Sequence, residues 1–411
     1  MLAQINIFKR RTISLGKRIW SAFLAPLWIL GVVLLRGLRP FVQIRLGGVN
    51  AGRLGHLAIE LEMFFSERDC GIHSTESRLI DLRYVWTGGL PISNQLLLDL
   101  WKPQLRIGPR LLLQPIDTWN RRIPGGERNA IPFRKGLHLL NQHNDLHGVL
   151  RRTNPHLRLN NRDISAARTA VIDKGFDPDS PIVCLHVRDE AYFQVRGAGK
   201  FRDDTTRNAQ INSYHDAVRY LANEGYTVIR LGAAVNTRLD LQHPRIWDYA
   251  TDGSRSELLD IYLPSICSFF ISTLSGPDRI ALVFRKPIVF TNLAPIKSLS
   301  LWMQNSLVIP KRIARVSTGE LLSWSEIFTS EIFRLSEREL TKQNLCTVEN
   351  RSDEIYGVVE EMVMRQRKTW ETSQHDQELQ DTFLNHVPAY LKAGGVHARI
   401  GARFLRDSKA N

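Results

Sequence analysis

The stretch from Phe269 to Asn292 constrains the fold more than any other part of the chain. An apolar run, Phe269 to Ile271, ends in Ser272 and Thr273, and a turn with Ser275, Gly276 and the charged pair Asp278/Arg279 comes next. A short apolar segment to Phe284 and a second run, Pro287 to Phe290, complete the unit, which closes on Thr291 and Asn292. This reads as strand, turn, helix, strand. Hydroxyls, a glycine and backbone N–H groups at a helix start make an anion site, placed where a doubly wound sheet holds a phosphate-bearing ligand. A plain strand-turn-helix with Ser275 as N-cap fits the same residues.

The rest of the second half repeats the alternation. Ile182 to Val187 and Thr227 to Leu231 read as strands, with an amphipathic helix from Ser213 to Glu224 stopped at Gly225. Strands alternating with helices predict a parallel sheet with right-handed crossovers. The turn residues Asp177 to Pro181 mark the start of this domain. Before it, a strand at Phe41–Leu46, a Gly-rich loop from Gly47 into a helix, a strand at Ile80–Trp86, a helix at Asn94–Trp101 and at most a short strand at Arg110–Gln114 suggest an α/β domain of their own. The expected division is a leader over 1–40, an N-terminal α/β domain over 41–175, a Rossmann-like domain over 176–340 and a helical C-terminal extension over 341–411. One or two surface helices within 352–380 would pack back on the first domain, with the last 20 residues or so loose.

Charge separates the leader from the body. Nine bases, from Lys9 to Arg53, precede the first acid, Glu60, in a chain of net charge +14. The remainder is mildly basic, which argues against a nucleic-acid binder with a basic folded face. Between the basic clusters, Ile19 to Leu35 is uncharged, with Trp20 and Trp28 as interfacial candidates and Pro26 as a kink. A monotopic or re-entrant anchor on an anionic cytoplasmic leaflet is the favoured reading. A single-span signal anchor and a buried core helix are the others. Cys70, Cys184, Cys267 and Cys346 match no zinc spacing.

Candidate chemistry gathers beyond the expected strand ends. His186 and Arg188 share one face of a strand by alternation, one as base or sugar contact, the other to neutralise a leaving diphosphate. Asp189 orients a partner or caps a turn. Arg207 and Asn208 could reach a phosphate or the acceptor. Arg230 and Gly232, Asp248 and Tyr249, then Ser272, Ser275, Gly276, Asp278 and Arg279 end the later strands. Arginine forks bind phosphate bidentately and keep their charge. Asp203 and Asp204 lack a third ligand, so no metal is expected. In the Gly-rich loop, Arg53 and His56 are candidate cleft residues, and His56 is a second candidate base.

Taken together, these residues resemble two-domain glycosyltransferases of the GT-B type, closest to a family of bacterial glycosyltransferases found with surface-polysaccharide genes. The likeness covers roughly residues 41–300. It rests on Gly52–His56 with Glu60 to Glu62, His186 to Asp189, Arg207/Asn208 with Tyr214, Arg230 to Gly232, Asp248 to Ala250, and Ser275/Gly276. His186-Val187-Arg188 is similar to the His-x-Arg motif of fucosyltransferases that use GDP-fucose, which implies a donor-diphosphate role for Arg188. The chain lacks the Glu-x7-Glu spacing of many other GT-B enzymes. The resemblance implies two Rossmann-like domains facing a cleft. It also implies a nucleotide-sugar donor as substrate with no cofactor, a glycan or polyprenyl-linked acceptor, and work at the cytoplasmic face of the inner membrane. A different phosphate-ligand transferase of polysaccharide assembly, and a non-enzymatic assembly scaffold, are the rival readings.

Overall fold

The computed structural model describes residues 24–73, 78–132, 144–191 and 205–409. Most of the expected leader, together with Tyr192, Arg202, Asp203 and Asp204, lies outside them. The chain forms two compact units, divided differently from the sequence-based boundaries. The smaller comprises residues up to Asn50 with 73–89 and 101–134. The larger comprises 51–72, 90–100 and everything from 135 onward.

The smaller unit is built on a parallel three-stranded sheet, β1 (Gln43–Asn50), β2 (Leu79–Trp86) and β3 (Arg106–Ile107), in that order. Gly47 and Gly48, expected to open a loop, belong to β1. A Cβ at Gly47 would sit 2.9 Å from Ile131, and one at Gly48 2.7 Å from Trp86, so bulky neighbours close over the glycines and the strand continues to Asn50. Arg110–Gln114, read as a short strand, is instead the first turn of a helix, Arg110–Arg122. Three consecutive leucines carry no period of their own. What decides is the later spacing that lets Leu113, Ile116 and Asp117 face the sheet. Pro115 removes only one donor there. With the Ala25–Gly37 helix this forms a small core of Leu35, Leu46, Tyr84 and Leu113, flanked by Ile44, Leu82, Trp86 and Ile116.

Arg36 and Arg39 were read with the basic leader, but both tie into this unit. Arg36 donates to the carbonyls of Asn120, Ile123 and Pro124 at the exposed end of the Arg110–Arg122 helix, and Arg39 to Gly125 O and Asn129 Oδ1. Guanidinium groups at the last carbonyls of a helix satisfy orphan acceptors and oppose its dipole.

The larger unit carries a seven-stranded, all-parallel sheet. Its strands are β4 (Ile182–His186), β5 (Thr227–Arg230), β6 (Ile246–Trp247), β7 (Phe269–Ser272), β8 (Ile288–Leu293), β9 (Leu307–Pro310) and β12 (Arg399–Ile400). The order is β12-β9-β8-β7-β4-β5-β6. Strands β7 and β8 are buried along their whole length, as continuous apolar runs covered on both faces require. A separate antiparallel pair, β10 (Arg312–Arg315) with β11 (Leu345–Val348), comes after β9.

Two expectations about the C-terminus are overturned. The last residues are ordered into β12 and the Ala402–Lys409 helix, the strand pairing in parallel with β9. The Ser352–Gln366 helix packs on the His215–Asn223 helix of the same larger unit. Its buried Glu354 pairs with Arg312 and its Glu361 with Arg365. Both acids make the stretch look like solvated surface in sequence, because pairing is invisible there.

Candidate functional site

Strand order locates the site. From β4 the chain adds β5 and β6 on one side, then returns to place β7 on the other side of β4 and continues outward through β8 and β9. The reversal point therefore lies between β4 and β7, and ligands of open parallel sheets bind beyond the carboxyl ends of the strands at such a point. His186 ends β4, in register with Ser272 at the end of β7.

The segments leaving β4 and β7 are tied together. Arg188 N–H donates to Thr273 Oγ1 (3.0 Å), Thr273 N–H to His186 O (3.3 Å), and Arg207 Nη1 to Leu274 O (3.5 Å). Ala209 N–H donates to Arg188 O (3.0 Å). Leu274 holds φ at +64°, a left-handed conformation that costs a non-glycine residue about 1–3 kcal/mol. This strained turn carries the chain into Ser275 and Gly276.

The expected backbone cradle at that turn is partly closed. Ser275 N–H donates to Asp278 Oδ2 (2.6 Å), and the same oxygen accepts from Ser272 Oγ (2.7 Å). Asp278 is fully buried and holds the turn from inside, and the helix it opens, Asp278–Val283, has Pro277 rather than Ser275 at its N-cap.

A longer helix supplies a better anion end. The Gly-rich loop, placed by sequence in the first domain, belongs to the larger unit from Ala51 onward, where the Leu54–Asp69 helix lies against the Asp278–Val283 helix. A Cβ at Gly55 would stand 3.2 Å from Gly276 Cα and 3.2 Å from Arg279 Cγ. Glycine at 55 thus allows backbone to meet backbone. The Leu54–Asp69 helix has no side-chain cap and no acid in its first turn, and its positive end starts beside Gly276 and Arg279.

The arginines are buried to a degree uncommon for a structural surface. Arg230 is 1% exposed and Arg279 5%. Arg230 Nη1 reaches Thr237 O (2.6 Å) and Asp248 Oδ2 (3.4 Å), while its Nε, like Arg279 Nη1, is buried without a hydrogen-bond partner. Asn208 Oδ1 and His186 Nδ1 are also buried and unpartnered. Orphaned polar atoms of this kind are expensive unless a ligand meets them. Burial, with Arg230 and Arg188 adding like charge, pushes the His186 imidazole down to about 4, so it is neutral at pH 7. A neutral imidazole with so low a pKa is a weak base and a good hydrogen-bonding group.

His56 is better equipped as a base. It sits in the first turn of the Leu54–Asp69 helix, one residue from the contact with Gly276, and its Nδ1 lies 2.6 Å from Glu60 Oε1. A carboxylate one helical turn away fixes the imidazole's orientation and tautomer. Glu60 was not singled out for this role in sequence, although the i, i+4 spacing of His56 and Glu60 signals it. Lys311, at the end of β9, was also missed. It is buried, donates to Asn208 O (2.7 Å), and burial holds its ammonium below the usual lysine range.

Three candidates serve packing. Tyr249 is fully buried, its hydroxyl bonded to Ser256 O and Asp260, its ring edge-on to Trp247. Asp248 Oδ2 holds Leu239 N–H (2.9 Å) and Thr251 Oγ1 (2.8 Å). A Cβ at Gly232 would meet Val235 at 2.8 Å, which explains the glycine by local packing. Among the described residues no group of three or more His, Cys, Asp or Glu side chains is placed to hold a metal.

No protein-family model matches the chain, and no curated protein matches it. Solved structures do. A glycosyl transferase family 9 protein from Veillonella parvula superposes with a TM-score of 0.41 at 11% identity, over 66% of this chain and 86% of its own. The E. coli ADP-heptose LPS heptosyltransferase II gives 0.36 at 13% identity, over 66% and 90%. An iron-containing dodecameric glycosyltransferase from enterotoxigenic E. coli gives 0.27 at 17%, over 62% and 59%. At TM-scores below 0.5 such likeness is loose, so the site has to be judged by its own residues.

Proposed function

We infer that the protein is a glycosyltransferase that moves a sugar from a nucleotide-sugar donor to a glycan acceptor, including a lipid-linked one. The supporting observation is a set of buried cations beyond the ends of adjacent parallel strands: Arg188 and Arg230 lie close enough to His186 to add like charge to it, and Arg230 and Arg279 each keep a buried donor without a partner. A diphosphate is the ligand whose charge and acceptor oxygens match them.

In the reaction, the acceptor oxygen bonds to the anomeric carbon as the bond from that carbon to the diphosphate oxygen breaks. The departing nucleoside diphosphate takes the electron pair. Arg188 and Arg279 hold its developing charge, aided by the uncapped end of the Leu54–Asp69 helix. His56, oriented by Glu60, removes the acceptor proton. His186 stays neutral and hydrogen-bonds the donor. The chain's own cations carry the leaving-group charge, without a metal. In this reading Arg188 takes the diphosphate role that the His-x-Arg likeness implies, while the sugar and base of the donor are left to experiment.

Nucleoside diphosphate release, measured over a panel of nucleotide sugars with glycan acceptors, tests this. At least one donor should give acceptor-dependent release that Arg188→Ala abolishes. A different phosphate-ligand transferase would share the arginines and release no nucleoside diphosphate. A scaffold would work unchanged with Arg188→Ala.

A further inference from the structure

The smaller unit carries an apolar face that is exposed among the described residues. The Ala25–Gly37 helix has no polar side chain before Arg36 and buries only Val32 and Leu35. Leu27, Leu30 and Leu34 are exposed, Leu34 at 62%. On the Arg110–Arg122 helix, Leu111 is 86% exposed and Leu112 is exposed beside it. Single exposed leucines need no explanation; a contiguous set on two packed helices does.

The two helices run parallel. Gly31 lies against Ile116, and one to two turns further on Arg36 reaches Asn120 and Ile123. Leu27 and Leu112, each one turn before that first contact, therefore stand at the same end of the pair. Charge at this end has one sign. Arg106 and Arg110 are exposed there, and the sole acid on either helix, Asp117, is buried under the Tyr84 hydroxyl at 2.9 Å.

That charge selects the occupant. A second copy seated face to face would bring two such faces together with no exposed acid on either helix to offset their bases. The chain's own leader is basic as well. An anionic lipid leaflet supplies both an apolar layer for the leucines and phosphates for the bases. The Ala25–Gly37 helix has 13 residues, and at 1.5 Å per residue about 20 Å of helix falls short of a hydrocarbon core of roughly 30 Å. No helix among the described residues is long and apolar enough to cross a membrane.

We propose that this parallel helix pair is a bilayer-seating face, in which Leu27, Leu30, Leu34, Leu111 and Leu112 enter the boundary between headgroups and acyl chains of an anionic leaflet. Leu111 and Leu112 make it a surface of the folded unit rather than of an N-terminal peptide alone. The proposal stands independently of the transferase reading.

The test uses the purified full-length protein and phosphatidylcholine vesicles with and without phosphatidylglycerol, in a flotation assay. Wild type should float with the anionic vesicles and lose binding as salt rises. The Leu111→Asp/Leu112→Asp double variant should lower the partition coefficient about tenfold or more, with an unchanged melting temperature because both side chains are exposed. If that variant misfolds, Leu34→Asp on the other helix serves, with the same expectation. Wild-type binding retained by both variants would assign all binding to the leader and overturn the proposal. A dimer in lipid-free solution that the double variant dissociates would also overturn it, as would resistance of the membrane-bound protein to alkaline extraction, which marks a spanning segment.

Discussion

Arg285→Ala should destabilise the larger unit by about 3 kcal/mol, because it removes the cation that neutralises a fully buried carboxylate. Arg285 Nη2 lies 2.7 Å from Glu62 Oε1, Nε donates to Leu150 O at 2.7 Å, and Nη2 also reaches Thr153 O at 3.3 Å. Glu62 sits inside the Leu54–Asp69 helix with no exposure. Breaking a buried pair from one side costs about 3–5 kcal/mol. The lower end applies here, since Glu62 keeps the His156 N–H at 3.0 Å and Ser66 Oγ at 3.4 Å. Glu62→Gln removes the charge, so the double variant Glu62→Gln/Arg285→Ala should cost less than the two singles together, by roughly 0.5–3 kcal/mol. Urea unfolding monitored by tryptophan fluorescence measures all three, with m-values compared to confirm a shared transition. The effect should reach the site, because the same helix presses Gly55 onto Gly276. An Arg285→Ala variant within 1 kcal/mol of wild type, or strict additivity in the double variant, would refute the reasoning.

The geometry leads to three further expected outcomes. His56→Asn should lower kcat/KM by about 10²–10⁴ in a donor-turnover assay, with Glu60→Gln losing less, and full activity in His56→Asn would remove it as the base. His186, held down to about 4, must stay neutral on folding while the unfolded imidazole titrates near its ordinary value. Stability should therefore fall, by up to about 3 kcal/mol, as pH drops from roughly 6.5 to 4, a loss that chemical denaturation should find smaller in His186→Gln. His156 runs the other way. Its hydrogen bonds to Glu62 and Asp69 outweigh burial and raise its pKa. Its contribution is complete below the unfolded value and lost as pH rises through the raised one, so His156→Gln should flatten the stability profile above pH of about 6.5.

The parallel core was readable because its strands are buried on both faces. Ile182–His186, Thr227–Arg230, Phe269–Ser272 and Ile288–Leu293 are short apolar runs between turn residues, and each begins and ends within a residue or two of the sequence-based limits. The short strands Arg106–Ile107 and Arg399–Ile400 were not readable. Arg399–Ile400 has two residues and one neighbour, and its pairing with Leu307–Val308 joins positions about ninety apart. The Arg110–Arg122 helix was misjudged at its start, where three leucines fit either period and the burial of Leu113 against Leu35, Leu46 and Tyr84 decides the matter only in three dimensions.

For the site, sequence found the residue types and strand ends, since polar groups just beyond buried runs are local signals. It could not show that Ser275 N–H is bound to Asp278, that Tyr249 belongs to the packing around Trp247, or that the Gly52–His56 loop sits against Gly276. Each of those depends on a partner far along the chain or on the direction of one bond. The His56–Glu60 pair, one helical turn apart, left a signal in the spacing that the sequence reading did not use.

Isothermal titration of nucleoside diphosphates into wild type, Arg188→Ala and Arg279→Ala tests the central claim most directly, namely that the arginines at the β4/β7 reversal point hold a diphosphate. At least one nucleoside diphosphate should bind wild type and bind each variant tenfold or more weakly, the loss of a charge-assisted hydrogen bond being about 1.5–3 kcal/mol, at a temperature where each variant is still folded by circular dichroism. Binding of none across the panel, or equal binding by wild type and both variants, would contradict it.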